Sequence, residues 1–422
     1  MYYETTKELL AFIKKSPTAF HAVEEMQARL TEDGFQVLSE KEHWKLTPGG
    51  KYVVTRNHSA LIAFTIPEKE SWKFHIIASH SDSPSFKIKE NPEIVVEKTY
   101  VKLNVEKYGG MLMAPWFDRP LSIAGRVIVR KDGKLEEKLI DFDRNLVMIP
   151  NLAIHMNREA NSGVSYNPQK DMLPLFSMGG SDVSLQKLLS TQLDVEEKDI
   201  LSHDLFLYNR MEGSIWGAEN EFASSARLDD LQCAFASLKG FLGAQKQDCI
   251  AVHCVLDNEE VGSGTKQGAA STFLKDTLLR INSGLGRTYE EYLMTLADSF
   301  MISADNAHAL HPNYTDKADP VNHPLLNKGI VIKYNANQKY CTDAVSAAVF
   351  KDLCDRAGVS WQTFVNRSDI PGGSTLGNIS NTQVPMNTVD IGLPQLSMHS
   401  PYETAGVRDT EYFVKAAKEF FA

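Results

Sequence analysis

Apolar residues recur with helical spacing close to the N-terminus, at Leu9, Leu10, Phe12 and Ile13. A second helix is expected in "SPTAFHAVEEMQARLTEDGF", where Ser16 is the expected cap, Pro17 opens the first turn and Gly34 stops it. β-Branched runs follow at "ALIAFTI" and "KFHIIA", the latter leading into "SHSDSPSFKI". From about residue 91 to 218 the texture changes. "EIVVEKTYVKLNVEK", "LSIAGRVIV" and "LEEKLIDF" have strand character, and "KDGK" reads as a hairpin turn. After Ala226 helices and strands alternate again: helix "LDDLQCAFASLKGFL", strand "CIAVHCVL", a helix after Gly262, strands "FMISA" and "GIVIKY", helix "TDAVSAAVFKDLCDRAG", strands "WQTFV" and "VPMNTVDI", and a final helix to Ala422. This order predicts an α/β fold, a mostly parallel or mixed central sheet flanked by helices, with an inserted β-rich domain. The expected division is 1–90 plus 219–422 for the main domain and 91–218 for the insertion.

Length and charge narrow the picture further. The chain has 422 residues, room for one large fold with an insertion or for two to three domains. Its 43% hydrophobic and 23% charged residues are ordinary for a globular protein, and a net charge of −10 without a Lys/Arg block argues against nucleic-acid binding. The N-terminus lacks the pattern of a signal peptide, and no run approaches the roughly 18 apolar residues of a membrane span. A cytoplasmic location with no membrane partner is therefore expected. Five cysteines without a CxxC pair suggest free thiols rather than disulfides or a thiolate metal site.

The polar residues that follow the predicted strands carry the chemistry. His80 and Asp82 follow "KFHIIA", Glu259 and Glu260 follow "CIAVHCVL", Asp305 follows "FMISA", and His399 follows "VDIGLPQLSM". Asp229 stands in "ARLDDL" at the start of a helix whose Leu228, Leu231, Phe235, Leu238 and Leu242 keep helical spacing. Carboxylates at strand ends are half desolvated and need partners. A mixed set of imidazole and carboxylate donors suits zinc, manganese or cobalt better than calcium. Two divalent ions fit the number of carboxylates: Asp229 bridging, His80 and Asp305 on one ion, Glu260 and His399 on the other. Three ligand carboxylates then leave the pair about one charge positive, which favours hydroxide at neutral pH. Glu259 is left to act as general base, and Asp82 to orient a ligand or that base, or else to form the "SDSP" turn.

These segments resemble the aspartyl aminopeptidase family of dinuclear zinc exopeptidases. The matching stretches run in family order from about residue 75 to the C-terminus: "ASHSDSPSFKIK", "YGGMLMAPWFDRPLSIAGRV", "IPNLAIHMNRE", "ARLDDLQCAFASL", "LDNEEVGSGTKQGA", "SADNAHALHPNY", "GIVIKYNANQKY" and "PQLSMHSPYETAG". The resemblance implies metal ligands at His80, Asp229, Glu260, Asp305 and His399, with Glu259 as base. It also implies a zinc-exopeptidase-like catalytic domain split by the insertion, and self-association into a homo-oligomer, a dodecamer, with sites facing an interior chamber. His155 in "AIHMN" matches a histidine that reaches a neighbouring subunit's substrate pocket, with direct metal ligation as the minor alternative. Asp230 departs from the family, where many relatives have Asn, and "DIPGGSTLG" is looser than the usual form.

Lys333, at the end of "GIVIK", is placed near the substrate pocket by the resemblance. Its ammonium would complement an acidic substrate side chain or balance a pocket carboxylate. His308 in "HALH" is expected in the substrate pocket or in a structural role, since the HExxH signature is absent. "GGSTLG" lacks a P-loop lysine, and no GxSxG surrounds Ser81, Ser374 or Ser400. The sequence thus predicts a metallo-aminopeptidase that releases N-terminal Asp or Glu from peptides by a dinuclear-metal-activated hydroxide. A deacylase or carboxypeptidase using the same metal pair, or a non-enzymatic peptide-binding shell, is the alternative.

Overall fold

The computed structural model describes residues 2–179, 183–245 and 248–422. The chain divides into two compact units: Met1–Asp82 with Gly213–Met398 and Glu403–Ala422, and Ser83–Glu212 with His399–Tyr402.

The first unit is built on a nine-stranded sheet. Its strand order is Gln36–Leu38, Lys51–Arg56, Ala60–Thr65, Ile250–Leu256, Phe74–His80, Phe300–Ala304, Asn387–Gly392, Ile330–Tyr334 and Trp361–Val365. The sheet is mixed, but the four strands 250–256, 74–80, 300–304 and 387–392 are mutually parallel. Period-two alternation sends Val53, Ile77, Ala251 and Val255 to one face and Val54, Ile76, Val252 and Cys254 to the other. Helices Tyr2–Lys14, Ala19–Glu32, Leu228–Gly243, Ala344–Ala357 and Asp409–Phe420 cover the first face. Helices Phe273–Gly284, Tyr289–Ala297 and Leu376–Ser380 cover the second. Because both faces are covered, the central strands are continuous apolar runs, and burying each Val, Ile or Phe contributes about 1.5–3 kcal/mol. A smaller five-stranded sheet joins Ser214–Trp216, Phe222–Ser225, Glu403–Gly406, Pro394–Leu396 and Ala307–His308.

The second unit holds a six-stranded antiparallel sheet in the order Lys134–Asp141, Leu121–Lys131, Ile200–Asn209, Ser85–Val96, Tyr100–Tyr108 and Leu175–Met178. Its core includes Phe86, Leu103, Ile123, Val127, Leu205 and Leu207, with Leu185 and Leu189 from the helix Leu185–Leu193. The "KDGK" hairpin has Asp132 and Gly133 both at positive φ (49° and 72°), as a two-residue primed turn requires.

Two local expectations are corrected. The cap of the second helix is Thr18, not Ser16, because the Ser16 hydroxyl donates to the Phe12 carbonyl and finishes the preceding helix. The segment after Gly262 does not enter a helix directly. Gly262 and Ser263 are at φ 92° and 59°, and the helix starts only at Phe273. All five cysteines are free, four of them buried. Among the described residues no helix is long and apolar enough to cross a membrane.

Candidate active site

Sheet register explains why the site lies where it does. Strands 250–256, 74–80 and 300–304 are parallel neighbours, with Leu256 opposite His80 and Ser303 opposite Ala78. Their C-terminal ends are therefore nearly flush. His80 ends one strand, Asp305 directly follows the next, and the turn Glu259–Val261 follows the third. This is the edge of a parallel sheet at which ligands gather.

His80 is 1% exposed. Its Nε2 lies 3.4 Å from Asp229 Oδ1 and 3.7 Å from Asp305 Oδ1, while its Nδ1 faces the Asp82 carbonyl oxygen at 3.1 Å. Two donors each about 2.1 Å from one tetrahedral ion lie about 3.4 Å apart, so this spacing fits a shared cation. Single ligand atoms from His80, Asp229, Asp230 and Asp305 fall within 4.8 Å of one another, as do those of His80, Glu259 and Glu260. Asp229 and Asp230 open the helix Leu228–Gly243 with non-helical backbone angles, and the peptide bond between them is cis. The Asp229 N–H donates to Glu403 Oε2 at 3.0 Å.

Asp82 fixes the two glutamates through their backbone. Its Oδ1 accepts the Glu259 N–H at 3.1 Å and its Oδ2 accepts the Glu260 N–H at 3.2 Å. Asn258 supports the same turn from the left-handed region (φ 59°), its Oδ1 accepting from the Thr265 hydroxyl at 2.8 Å and from Gln267 Nε2 at 2.7 Å. Two successive amides on one carboxylate fix the backbone of the turn that carries Glu259 and Glu260.

The electrostatics is that of crowded carboxylates. Burial, reinforced by Asp305, Asp82 and Asp229 against the opposing pull of His80, raises Glu259 to about 8. Burial and the nearby Asp229 push Glu260 well above the ordinary carboxylate range. Burial alone would lower His80, but Asp230, Asp229, Asp305 and Asp82 together raise it well above its usual value. Burial and the neighbouring Asp82 bring Asp257 to about 7. A divalent cation would relieve this repulsion, so the donor chemistry fits a metal.

Lys333 is 3% exposed, donates to the Asn306 carbonyl at 2.9 Å and lies 3.8 Å from Asp305 Oδ2. Burial opposes its charge, yet the field of Asp305 raises its pKa. The geometry is thus that of a lysine balancing a pocket carboxylate. His308 is exposed, its ring edge-on to Phe364 at 6.2 Å between centroids. His399 and His155 belong to the second unit. The carbonyl oxygen of His399 accepts the Leu112 N–H at 3.1 Å, and its φ is 65°. His155 is exposed in an irregular turn segment. Sequence reasoning did not single out Asn258, Thr265, Gln267 or Glu403, which act through turn geometry and backbone amides. A polar residue inside "DNEEVGSG" was the only available signal for Asn258.

The family model described as Aminopeptidase I zinc metalloprotease (M18) matches residues 12–421. The chain belongs to the M18 aminopeptidase family. It is a zinc-dependent metallo-aminopeptidase, a hydrolase of the aspartyl aminopeptidase family. A probable M18 family aminopeptidase 2 of Clostridium acetobutylicum is 47% identical over 99% of this chain and 98% of its own length. The corresponding protein of Clostridium novyi is 48% identical, covering 98% of each. Among solved structures, a chain of the Ape4 and Nbr1 complex superposes with a TM-score of 0.96 at 37% identity, covering 100% of this chain and 86% of that one. A chain of the S. cerevisiae mApe1 dodecamer gives 0.88 at 28% identity, covering 100% and 97%. The M18 fold thus extends over the whole chain.

Proposed function

We propose that this M18 aminopeptidase releases N-terminal Asp or Glu from peptides with two zinc ions and Glu259 as general base. The observation that carries the reading is the Asp82 clamp, which holds the base and a neighbouring ligand residue on one turn beside His80. His80 and Asp305 would hold one ion, Glu260 and His399 the other, and Asp229 both. When bound, such a pair polarises the scissile carbonyl and acidifies a water molecule. The Glu259 carboxylate takes a proton from the attacking water and returns it to the leaving amine. Burial and the surrounding carboxylates raise its pKa to about 8, and bound divalent cations would favour the ionised form it needs as a base. Asp82 positions the base and orients His80.

Lys333, already paired with the Asn306 carbonyl and Asp305, adds no more than a small field to the acidic preference, while His308 and a neighbouring copy's His155 serve substrate binding. The inserted β-rich part, expected over 91–218, would be the oligomerisation domain, and the dodecamer named for mApe1 is the assembly we propose here.

Replacing Glu259 by Gln keeps shape but removes the base. Turnover should fall by about 10²–10⁴-fold with metal content per chain unchanged, measured by steady-state kinetics beside elemental analysis. Substantial activity in a metal-replete Glu259→Gln protein would remove Glu259 from the mechanism.

A further inference from the structure

We infer that Asn306 is a positioning residue: its side-chain amide ties the turn that carries Asp305 to the helix that carries Asp229, and so sets the spacing of those two carboxylates before any ion binds. The inference rests on the metal-ligand reading above. Asn306, Gln232 and Gln395 are all buried. The Asn306 Nδ2 donates to Gln232 Oε1 at 2.9 Å and to Gln395 Oε1 at 3.0 Å. The Cys233 thiol, which also hydrogen-bonds the Asp230 carboxylate, lies 3.0 Å from Asn306 Oδ1. Gln232 Nε2 donates in turn to Thr410 Oγ1 at 2.9 Å, at the start of the final helix. One amide thus joins the residue after Asp305 to the first turns of the helix Leu228–Gly243 and to the strand Pro394–Leu396.

The backbone around it is held as closely. The Asp305 N–H donates to the Ile391 carbonyl at 3.1 Å, and the Ala307 N–H to the Leu393 carbonyl at 2.9 Å. A Cβ at Gly392 would collide with the Asp305 carbonyl oxygen, so the strand lies this close to the turn only because a glycine stands there. Asp229 Oδ1 and Asp305 Oδ1 lie 3.4 and 3.7 Å from His80 Nε2. Two carboxylates facing one position repel each other while no cation lies between them. A tether of neutral amides resists that repulsion without adding charge, and ligands already in place bind an ion more tightly than ligands that must be gathered.

The test compares metal-free full-length wild type with Asn306→Leu, which has a similar volume and none of the amide's hydrogen bonds. The control is Asn282→Leu, which removes a buried amide bonded to the Arg287 and Thr288 carbonyls away from the site. Each protein is titrated with Zn²⁺ by calorimetry and unfolded in urea without metal. The wild type should take two ions, and in Asn306→Leu the affinity for one of them should fall about 10–100-fold. Asn282→Leu should lower the urea midpoint and leave both affinities as they were. Wild-type Zn²⁺ affinities in a folded Asn306→Leu protein would overturn the inference and leave Asn306 a stabilising core residue only. If that variant does not fold, Gln232→Met and Gln395→Met decide, since each removes one acceptor of the tether. A Zn²⁺ affinity lowered about threefold or more in either supports the role, and unchanged affinities in both refute it. A wild-type protein that binds no Zn²⁺ would instead sink the metal-ligand reading itself.

Discussion

At Lys333 the residue type leaves two roles open, and burial separates them. Its ammonium donates to the Asn306 carbonyl and sits 3.8 Å from Asp305, so it is engaged inside the protein before any substrate arrives. Lys333→Met would leave Asp305 with one charge partner fewer in a desolvated setting, and breaking a buried pair costs about 3–5 kcal/mol. We expect a lower denaturation midpoint in the metal-free protein, with a change in the Asp-over-Leu rate ratio that is small beside the loss of stability. A variant of undiminished stability whose Asp preference vanishes would restore Lys333 as a direct substrate contact. The His80, Asp305 and Glu259 positions were legible because each follows an apolar run that could only be a strand. Asp82 was legible only as a turn former or an orienting group, since its contacts are backbone amides 177 and 178 residues away.

The strand Ile250–Leu256 shows what an element hides from pattern reading. Its apolar run was plain, but its place between Ala60–Thr65 and Phe74–His80 depends on pairing across more than 160 residues, which no local period encodes. His253 lies fully buried in it, with Ser237 Oγ 2.9 Å from Nδ1 and the ring stacked on Phe241. Burial lowers its pKa to about 3. The folded state then binds fewer protons than the unfolded chain between about pH 3 and 6.5, so the stability contribution is complete above 6.5 and lost as the pH falls. From pH 7.5 to 4.5 the wild type should lose about 2–3 kcal/mol more than His253→Phe, read from urea unfolding at both pH values. Parallel losses would mean that His253 takes up its proton without unfolding. Other elements were legible through their punctuation: "KDGK" demanded two positive-φ residues and has them. The helix expected after Gly262 begins only at Phe273, because Gly262, Gly264 and Gly268 interrupt the stretch before it and Gly262 and Ser263 take positive φ.

For the whole molecule, the change of texture near residue 91 pointed to a second fold within the chain, whereas the pairing of sheets into units depends on contacts that composition cannot reveal. Leu152, Ile154 and Met156 are exposed apolar residues on one irregular segment, Met156 at 75%. Such a cluster suits contact with another copy. Sedimentation at micromolar concentration should give a species near twelve times the 47.1 kDa chain mass, and Asp at all three positions should lower it. An unchanged mass for the triple variant would exclude this segment as an interface. The most direct test of the account is the initial rate of metal-replete protein on peptides with free N-terminal Asp, Glu, Leu, Ala and Lys, beside N-acetylated Asp and Glu controls. The account predicts fastest cleavage of the free Asp and Glu members with both acetylated peptides inert. Cleavage of the acetylated peptides at rates near those of the free ones would contradict it.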